Sequence, residues 1–563
     1  MLPLIYPVFK GIAMNCFSFS ALGAHFLPFL VSALMALFVV GCGSSNSGTG
    51  GSAGAGGSGG TGGAERLEPI REAIPMPRQT AEELGIEPFV GTAVVSNPTN
   101  PKDIPPHPFL NNGGDSRIHN DHYNSATYNR EGPAGPSLEI VTAQSGIIAG
   151  VCPMMAILES GYVIASCLVA SDTTGLQITL TMFDNENLDV VAERELGLKP
   201  FVTNAAGGAY FSMDKDENII IGPPTNRLEQ YHVEVVDRVA QFVQDYSKEI
   251  PGLPPAVEVD DPMLQDTVVD YEGRIWFMVT DGRVGYYDVE SDTTEMTDLE
   301  QELQNSMVVD DRGVYLVTYE STFRLSVAEN GPVQVDWEAP YDPGSGISGV
   351  LPGSGTSPTL LGTRDDLISI ADNADGQINL LVMDRDQPNP PLCKLPVFRE
   401  GESATENTVV AYDDDIVIVN NSGFGGPFAP ARTMNPGIER YRVLRDNDGN
   451  VTGCENVWKN TTSFGNSAQL TTGSGVIWGW GADPDVTGMD LFYLTATSWE
   501  SGEEIFRTYI GDGRPFSPSS QSANFVRRMA ATERWRMTAS TSSMSVIVPR
   551  PRETTDVIRV WKE

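Results

Sequence analysis

The chain of 563 residues holds 74 acidic against 36 basic side chains, a formal charge of −38 at neutral pH. An excess of that sign repels phosphate backbones and anionic headgroups, which sets the chain against nucleic acid as a partner and suits a body kept soluble by its own charge. The length allows two or three ordinary domains or one repeat architecture, with ample apolar sequence for a core.

Residues 1–41 read as a signal peptide, because the run 21–41 is apolar without an acidic residue and follows Lys10. The run ends Val39-Val40-Gly41-Cys42, which resembles a bacterial lipobox. Cys42 is therefore the expected site of lipid attachment, and the membrane the expected partner through that anchor. A transmembrane helix is the competing reading of the same run. Residues 42–63 are almost wholly Gly, Ser, Thr and Ala, the composition of a flexible tether. Gly43 directly after the cysteine resembles lipoproteins passed to the outer membrane, so the chain is expected to be exported and held on its periplasmic or cell-surface side.

Residues 64–137 form a Pro-rich lead-in. Thr80-Ala81-Glu82-Glu83 carries a capping-box pattern and predicts one short helix. Further on, His119-Asn120-Asp121-His122 sets two imidazoles beside a carboxylate, so His119 and His122 are candidate metal ligands. The Asn, Ser and Pro around them predict extended chain, in which the two rings point to opposite sides. A polar connector closing the first repeat is the competing reading.

From 138 to 563 the sequence repeats. Ile275 to Val279 and Val284 to Val289 are β-forming runs around Asp281-Gly282, which reads as a hairpin turn. Looser copies pair 161–169 with 176–183, 313–318 with 322–327, 367–371 with 378–383, and 416–420 with 438–443. A lone hairpin cannot bury its apolar side, and recurrence at roughly 35 to 50 residues is the period of propeller blades. Eight blade candidates fall near 145–197, 206–236, 265–300, 303–340, 355–398, 405–460, 466–512 and 523–563. The predicted fold is all-β, a single eight-bladed β-propeller of four-stranded antiparallel blades, with seven blades as the alternative. One inserted helix is predicted over 237–250, where Val239, Phe242, Val243 and Tyr246 fall at i, i+3, i+4 and i+7 ahead of Pro251.

Of six cysteines, Cys16 lies in the signal segment and Cys42 is the lipid site, leaving an even number in an exported chain. The expected disulfides are Cys152 with Cys167, across one hairpin, and Cys393 with Cys454, across neighbouring blades. Asp214 to Asn218 and Asp446 to Asn450 look like calcium loops but lack the closing Glu, and so predict hairpin turns. His232 is expected packed on a strand, and Trp478-Gly479-Trp480 is expected in blade packing. No G-x-S-x-G elbow, P-loop or G-x-G-x-x-G precedes a helix.

Ala496, Ser498, Ser501, Gly502 and Phe506 stand at the spacing of the tryptophan-docking repeat of quinoprotein-type propellers, with Ser498, Ser501 and Phe506 in place of its Asp, Thr and Trp. The ordered set Gln304-Asn305-Ser306, 353–359, Asp372-Asn373-Ala374-Asp375 and Ala404-Thr405-Glu406-Asn407 resembles exported bacterial quinoprotein-like (PQQ-like) propeller proteins. The resemblance implies an eight-bladed propeller and no particular reaction.

Loops of successive blades converge on the axis of such a ring. Asn305, Ser306, Thr356, Asp372, Asn373, Asp375, Glu406, Asn407 and Asn421 are therefore the candidate ligand-binding residues, being polar groups beside apolar strands. Turn capping and ties between blades are their competing use. Glu406, Asn407 and Asp372 suit a calcium ion, which in quinoprotein enzymes helps hold pyrroloquinoline quinone; no adjacent-cysteine pair of the kind many of those enzymes use is present. The leading expectation is an outer-membrane lipoprotein whose propeller binds an unidentified small molecule or protein partner, with no assigned catalysis. Its rivals are a PQQ- and calcium-dependent dehydrogenase acting on an alcohol or sugar, and a propeller scaffold of a membrane-protein assembly complex. An open polar funnel favours a small ligand, and a filled axis with an exposed apolar rim favours a scaffold.

Overall fold

Among the described residues the strands form eight sheets, each built on a four-stranded antiparallel meander. The computed structural model describes residues 66–562 except 76–79, 113–114, 134, 136–137, 145–149, 171–174, 185–187, 201–206, 259–260, 304, 330, 346–352, 424–433, 483–490, 512–521, 527–535, 542 and 549–555. The expectations for the signal peptide, the tether, Cys42 and Gln304 lie outside these residues. Numbered along the chain, the blades span 150–200, 211–249, 264–298, 308–340, 359–396, 410–460, 466–511 and 522–562. First strands touch between blades 2 and 3, 3 and 4, 5 and 6, 6 and 7, and 7 and 8, the outer strands of blades 1 and 2 meet, and Ser306 and Ser357 tie blade 4 to blade 5. Ser522–Val526 of blade 8 meets Gly150–Ile157 of blade 1, which closes a β-propeller.

Blade 3 shows why the sequence folds this way. Its second strand, Ile275–Val279, is an unbroken apolar run because other blades cover both faces, and every residue in it is buried. Full burial of each large side chain there is worth about 1.5–3 kcal/mol. The fourth strand, Thr293–Asp298, faces outward and mixes exposed with half-buried positions. Gly282 turns the hairpin at φ 103°, where a Cβ would stand 2.5 Å from the Gln301 carbonyl oxygen, so no other residue fits without a shift.

The lead-in completes two blades. Leu138–Gln144 runs parallel to Asp556–Lys562 in blade 8 and is paired in turn with Ile74–Pro75. Phe89–Gly91 extends blade 7 on its outer side, while Thr127–Tyr128 pairs in parallel with the first strand, Asn466–Thr471, on its inner side. The short helix Ala81–Leu84 carries the expected capping box on Thr80 and Glu83. Both expected disulfides are formed, Cys152–Cys167 within blade 1 and Cys393–Cys454 between blades 5 and 6.

The helix predicted over 237–250 is instead a strand, Val239–Glu249, the outermost of blade 2. It follows Arg227–Val236 through a two-residue turn at Asp237 and Arg238, with φ of 49° and 69°. Positive φ at both positions matches the twist of a tight hairpin. Pairing with the preceding strand overrides the helical spacing, and a bulge at Asp245, opposite Gln230 and Tyr231, breaks the alternation that would have announced a strand.

Candidate functional site

The nominated polar residues gather where the chain enters the first strand of a blade or leaves the second. Between blades 4 and 5, Asn305 Nδ2 donates to the carbonyls of Ser354 at 2.7 Å and Thr356 at 3.1 Å, and the Ser306 hydroxyl meets that of Ser357 at 2.9 Å. Thr356 Oγ1 accepts from the Ala371 amide at 2.9 Å. Asp372 accepts from the Asn379 backbone at 2.6 Å and pairs with Lys394 at 3.3 Å, the Asn373 amide donates to the Asp342 carbonyl, and Asp375 accepts from Ser345. Between blades 6 and 7 the Asn407 amide donates to Asn421 at 2.7 Å and Asn466 at 2.5 Å, Asn421 donates to Asn466 at 2.6 Å, and the Glu406 backbone donates to Asn421 at 2.9 Å. The nine residues thus fall into two ties between blades and a set of turn contacts in blade 5. Among the described residues, no group of three or more His, Cys, Asp or Glu side chains is placed to hold a metal ion.

The axis is occupied by the protein's own chain. Carbonyls of Ser116, His122, Tyr123, Ser125 and Ala126 accept in turn from the amides of Met213, Val309, Leu360, Ala411 and Leu470. Those amides belong to the first strands of blades 2, 4, 5, 6 and 7. A first strand has no neighbour on its axial side, so its amides need acceptors, and this segment supplies about one per blade. Blade 3 is reached by a side chain: Arg117, 1% exposed, pairs with Asp266 and donates to the carbonyl of Thr267, to that of Met307 at 2.9 Å and to Ser212 Oγ at 2.7 Å.

The two candidate metal ligands sit in this plug with different neighbours. His122 Nε2 lies 3.2 Å from the Tyr271 hydroxyl, and its ring is 5.1 Å from that of His107. His119 lies where the Arg117 charge reaches it. Burial, the largest cause for each, holds His107, His119 and His122 near pKa 3, so all are neutral at physiological pH. His232 lies on a strand as expected but is not packed inside; it pairs with Asp245 at 2.7 Å on the rim. Trp478 and Trp480 are fully buried in blade 7. The Asp214 and Asp446 segments are hairpin turns, each aspartate accepting from backbone amides within its own turn. In the docking-type repeat, Phe506 is buried against Trp478, and Gly502 leaves room for Trp458 of blade 6.

On the opposite end of the strands, residues 99–107 cross the turns that follow the first strands. The Thr99 amide donates to Thr472 and the Asn100 carbonyl accepts from the Tyr412 hydroxyl at 2.9 Å. Beneath this strap, Arg385 is fully buried between Asp310 at 2.9 Å and Asp365 at 2.7 Å. Sequence reasoning missed Lys102, Arg117, Asp266, Arg385 and Asp413. The available signal was 115–128, which is dense in Asn, Ser, Asp and His yet contains neither Gly nor Pro, as a buried polar segment requires more than a connector does.

Fold and site together define a β-propeller with a filled axis. No family model matches the chain, and no curated protein matches it. Among solved structures it is similar to quinohemoprotein alcohol dehydrogenase from Comamonas testosteroni, at TM-score 0.46 and 10% identity over 79% of each chain. It is also similar to Chaetomium thermophilum Sqt1 bound to the N-terminus of the ribosomal protein L10, at TM-score 0.41 and 11% identity over 75% of this chain and 99% of that one. These likenesses concern architecture alone, and the propeller assignment rests on the strand pairing itself.

Proposed function

We propose that the chain is a non-catalytic propeller scaffold, carried at the outer membrane by a lipidated Cys42 and holding a protein partner on its rim. The observation that carries this reading is the filled axis: the backbone of 116–126 accepts from the first strands of five blades, an arrangement that favours a scaffold over an open ligand funnel. The rim supports it too. Val236 and Val239, cross-strand partners at the blade 2 hairpin turn, are 55 and 47% exposed and form a paired apolar surface.

Cys42→Ala should move the protein from the membrane fraction to the soluble fraction, and retention at the membrane would remove the anchor. In cells, Val236→Glu should abolish crosslinks made through this hairpin while leaving the melting temperature unchanged. Adding pyrroloquinoline quinone and calcium to the purified chain should produce neither dye reduction with alcohols or sugars nor a rise in melting temperature. A calcium-dependent gain of either would favour the dehydrogenase and overturn the scaffold.

A further inference from the structure

Under the strap, the turns after the first strands of blades 5 and 6 bound a cavity of about 200 Å³. Lys102, Tyr123, Leu361, Thr363, Asp365 and Asp413 line it. Lys102 is buried, whereas Asp103, Thr363 and Asp413 are exposed, so the cavity has a buried lysine in its wall and carboxylates at its mouth. The lysine is held there by its own backbone, whose amide donates to Asn129 Oδ1 at 2.6 Å and whose carbonyl accepts from Asn129 Nδ2 at 2.7 Å.

Lys102 Nζ is covered in the cavity wall and has no hydrogen-bond partner among the described residues, so a rotation of the flexible side chain brings it onto a ligand. An ammonium carries three donors, and leaving them unmet in a buried place is costly. Burial holds its pKa below the ordinary lysine value despite the opposing pull of Asp121, Asp413 and Asp365. Asp365 pairs with Arg385 at 2.7 Å, a cation it shares with Asp310. Asp413 forms no ion pair among the described residues, and partial burial lifts its pKa.

We propose that this cavity is a binding site for a small zwitterion of amino-acid size, its carboxylate on Lys102 and its ammonium at Asp413. A simple anion would meet Lys102 but face Asp413 and Asp103 across the mouth. A simple cation would leave the lysine without acceptors. A polyol could satisfy the donors but would leave both charges uncompensated. The cavity exceeds the roughly 150 Å³ that accommodates benzene in a protein interior, so an amino acid with a short side chain fits. This site does not depend on the partner-holding reading of the rim.

The test is calorimetric titration of the full chain in detergent with glycine, alanine, serine and glutamate, against acetate, ethylammonium and glucose. At least one amino acid should bind, with acetate, ethylammonium and glucose each weaker by about tenfold or more. Lys102→Met and Asp413→Asn should each weaken that binding by about tenfold or more. Asp413→Asn lies at the exposed mouth and carries the test alone if Lys102→Met folds poorly. Failure of every amino acid to bind, equal binding of acetate or glucose, or unchanged binding in Asp413→Asn would overturn the proposal.

Discussion

Asp214, Asp270 and Asp310 each close the turn after the first strand of a blade by accepting two backbone amides, at 2.9 and 2.8 Å, 3.0 and 2.9 Å, and 2.8 and 3.2 Å respectively. Part of the acidic excess is therefore used as local acceptors that fix turns, and its sign says little about a cationic partner. The histidines are used in the opposite way, as rings kept neutral. His107 Nδ1 accepts from the amides of Phe109 at 3.1 Å and Leu110 at 3.0 Å, a role that protonation would end. His107, His119 and His122 are each lowered from 6.5 to about 3. Below pH 6.5 the unfolded chain takes up protons that these rings refuse, so stability falls as pH drops and the loss levels off beneath about 3. By pH 5 each ring is worth about 2 kcal/mol of lost stability. Thermal melts from pH 7 to pH 5 should show a falling midpoint, with a shallower slope in His122→Gln. A midpoint that is flat across that range would mean the rings are reached by water.

Elements whose pairing is local could be read in advance. The runs around Asp281-Gly282, and the looser pairs at 313–327 and 367–383, lie within a few residues of the second and third strands of blades 3, 4 and 5, because turn and apolar run are adjacent in sequence. Blade 2 was cut short at 236 because its last strand carries a helical spacing and its turn uses Asp237-Arg238 rather than a glycine. The plug was illegible for a different reason: its carbonyls meet amides from five blades, and no local pattern encodes such partners. The nominated loops were found on one end of the ring, but the cavity at the other end is built from the strap and turns that carry no motif. Cysteine parity was a reliable guide because one pair lies on adjoining strands of blade 1 and the other on the outer strands of neighbouring blades. Cys393 and Cys454 are 61 residues apart, so their bond closes a long loop and restrains two outer strands. Chain entropy puts its contribution at about 4 kcal/mol, against about 3 for the shorter Cys152–Cys167 loop. Urea unfolding of the Cys393→Ala/Cys454→Ala double variant should show a loss of that order. Alkylation of Cys152, Cys167, Cys393 or Cys454 without reductant would remove the basis for it.

A ring of blades that contact only their neighbours is expected to behave as a chain of semi-independent units, able to open at any seam. Two features oppose that here. Strands from both ends of the described chain share blade 8, and the plug ties blades that are not adjacent. Arg117 is the clearest strut, since one guanidinium reaches Ser212 of blade 2, Asp266 and Thr267 of blade 3, and Met307 at the threshold of blade 4. Arg117→Met would leave Asp266 as a buried charge, still accepting from the Met307 amide at 2.8 Å but without its cation. Breaking a buried pair from one side costs about 3–5 kcal/mol, whereas removing both charges costs less. Arg117→Met should therefore lower the urea midpoint sharply, and Arg117→Met/Asp266→Asn should recover part of the loss. If the plug couples the blades, the wild-type chain unfolds in one transition by both tryptophan fluorescence and circular dichroism, and Arg117→Met separates the two signals. Coincident signals and an unshifted midpoint in that variant would mean that the blades hold the ring closed without the segment on its axis.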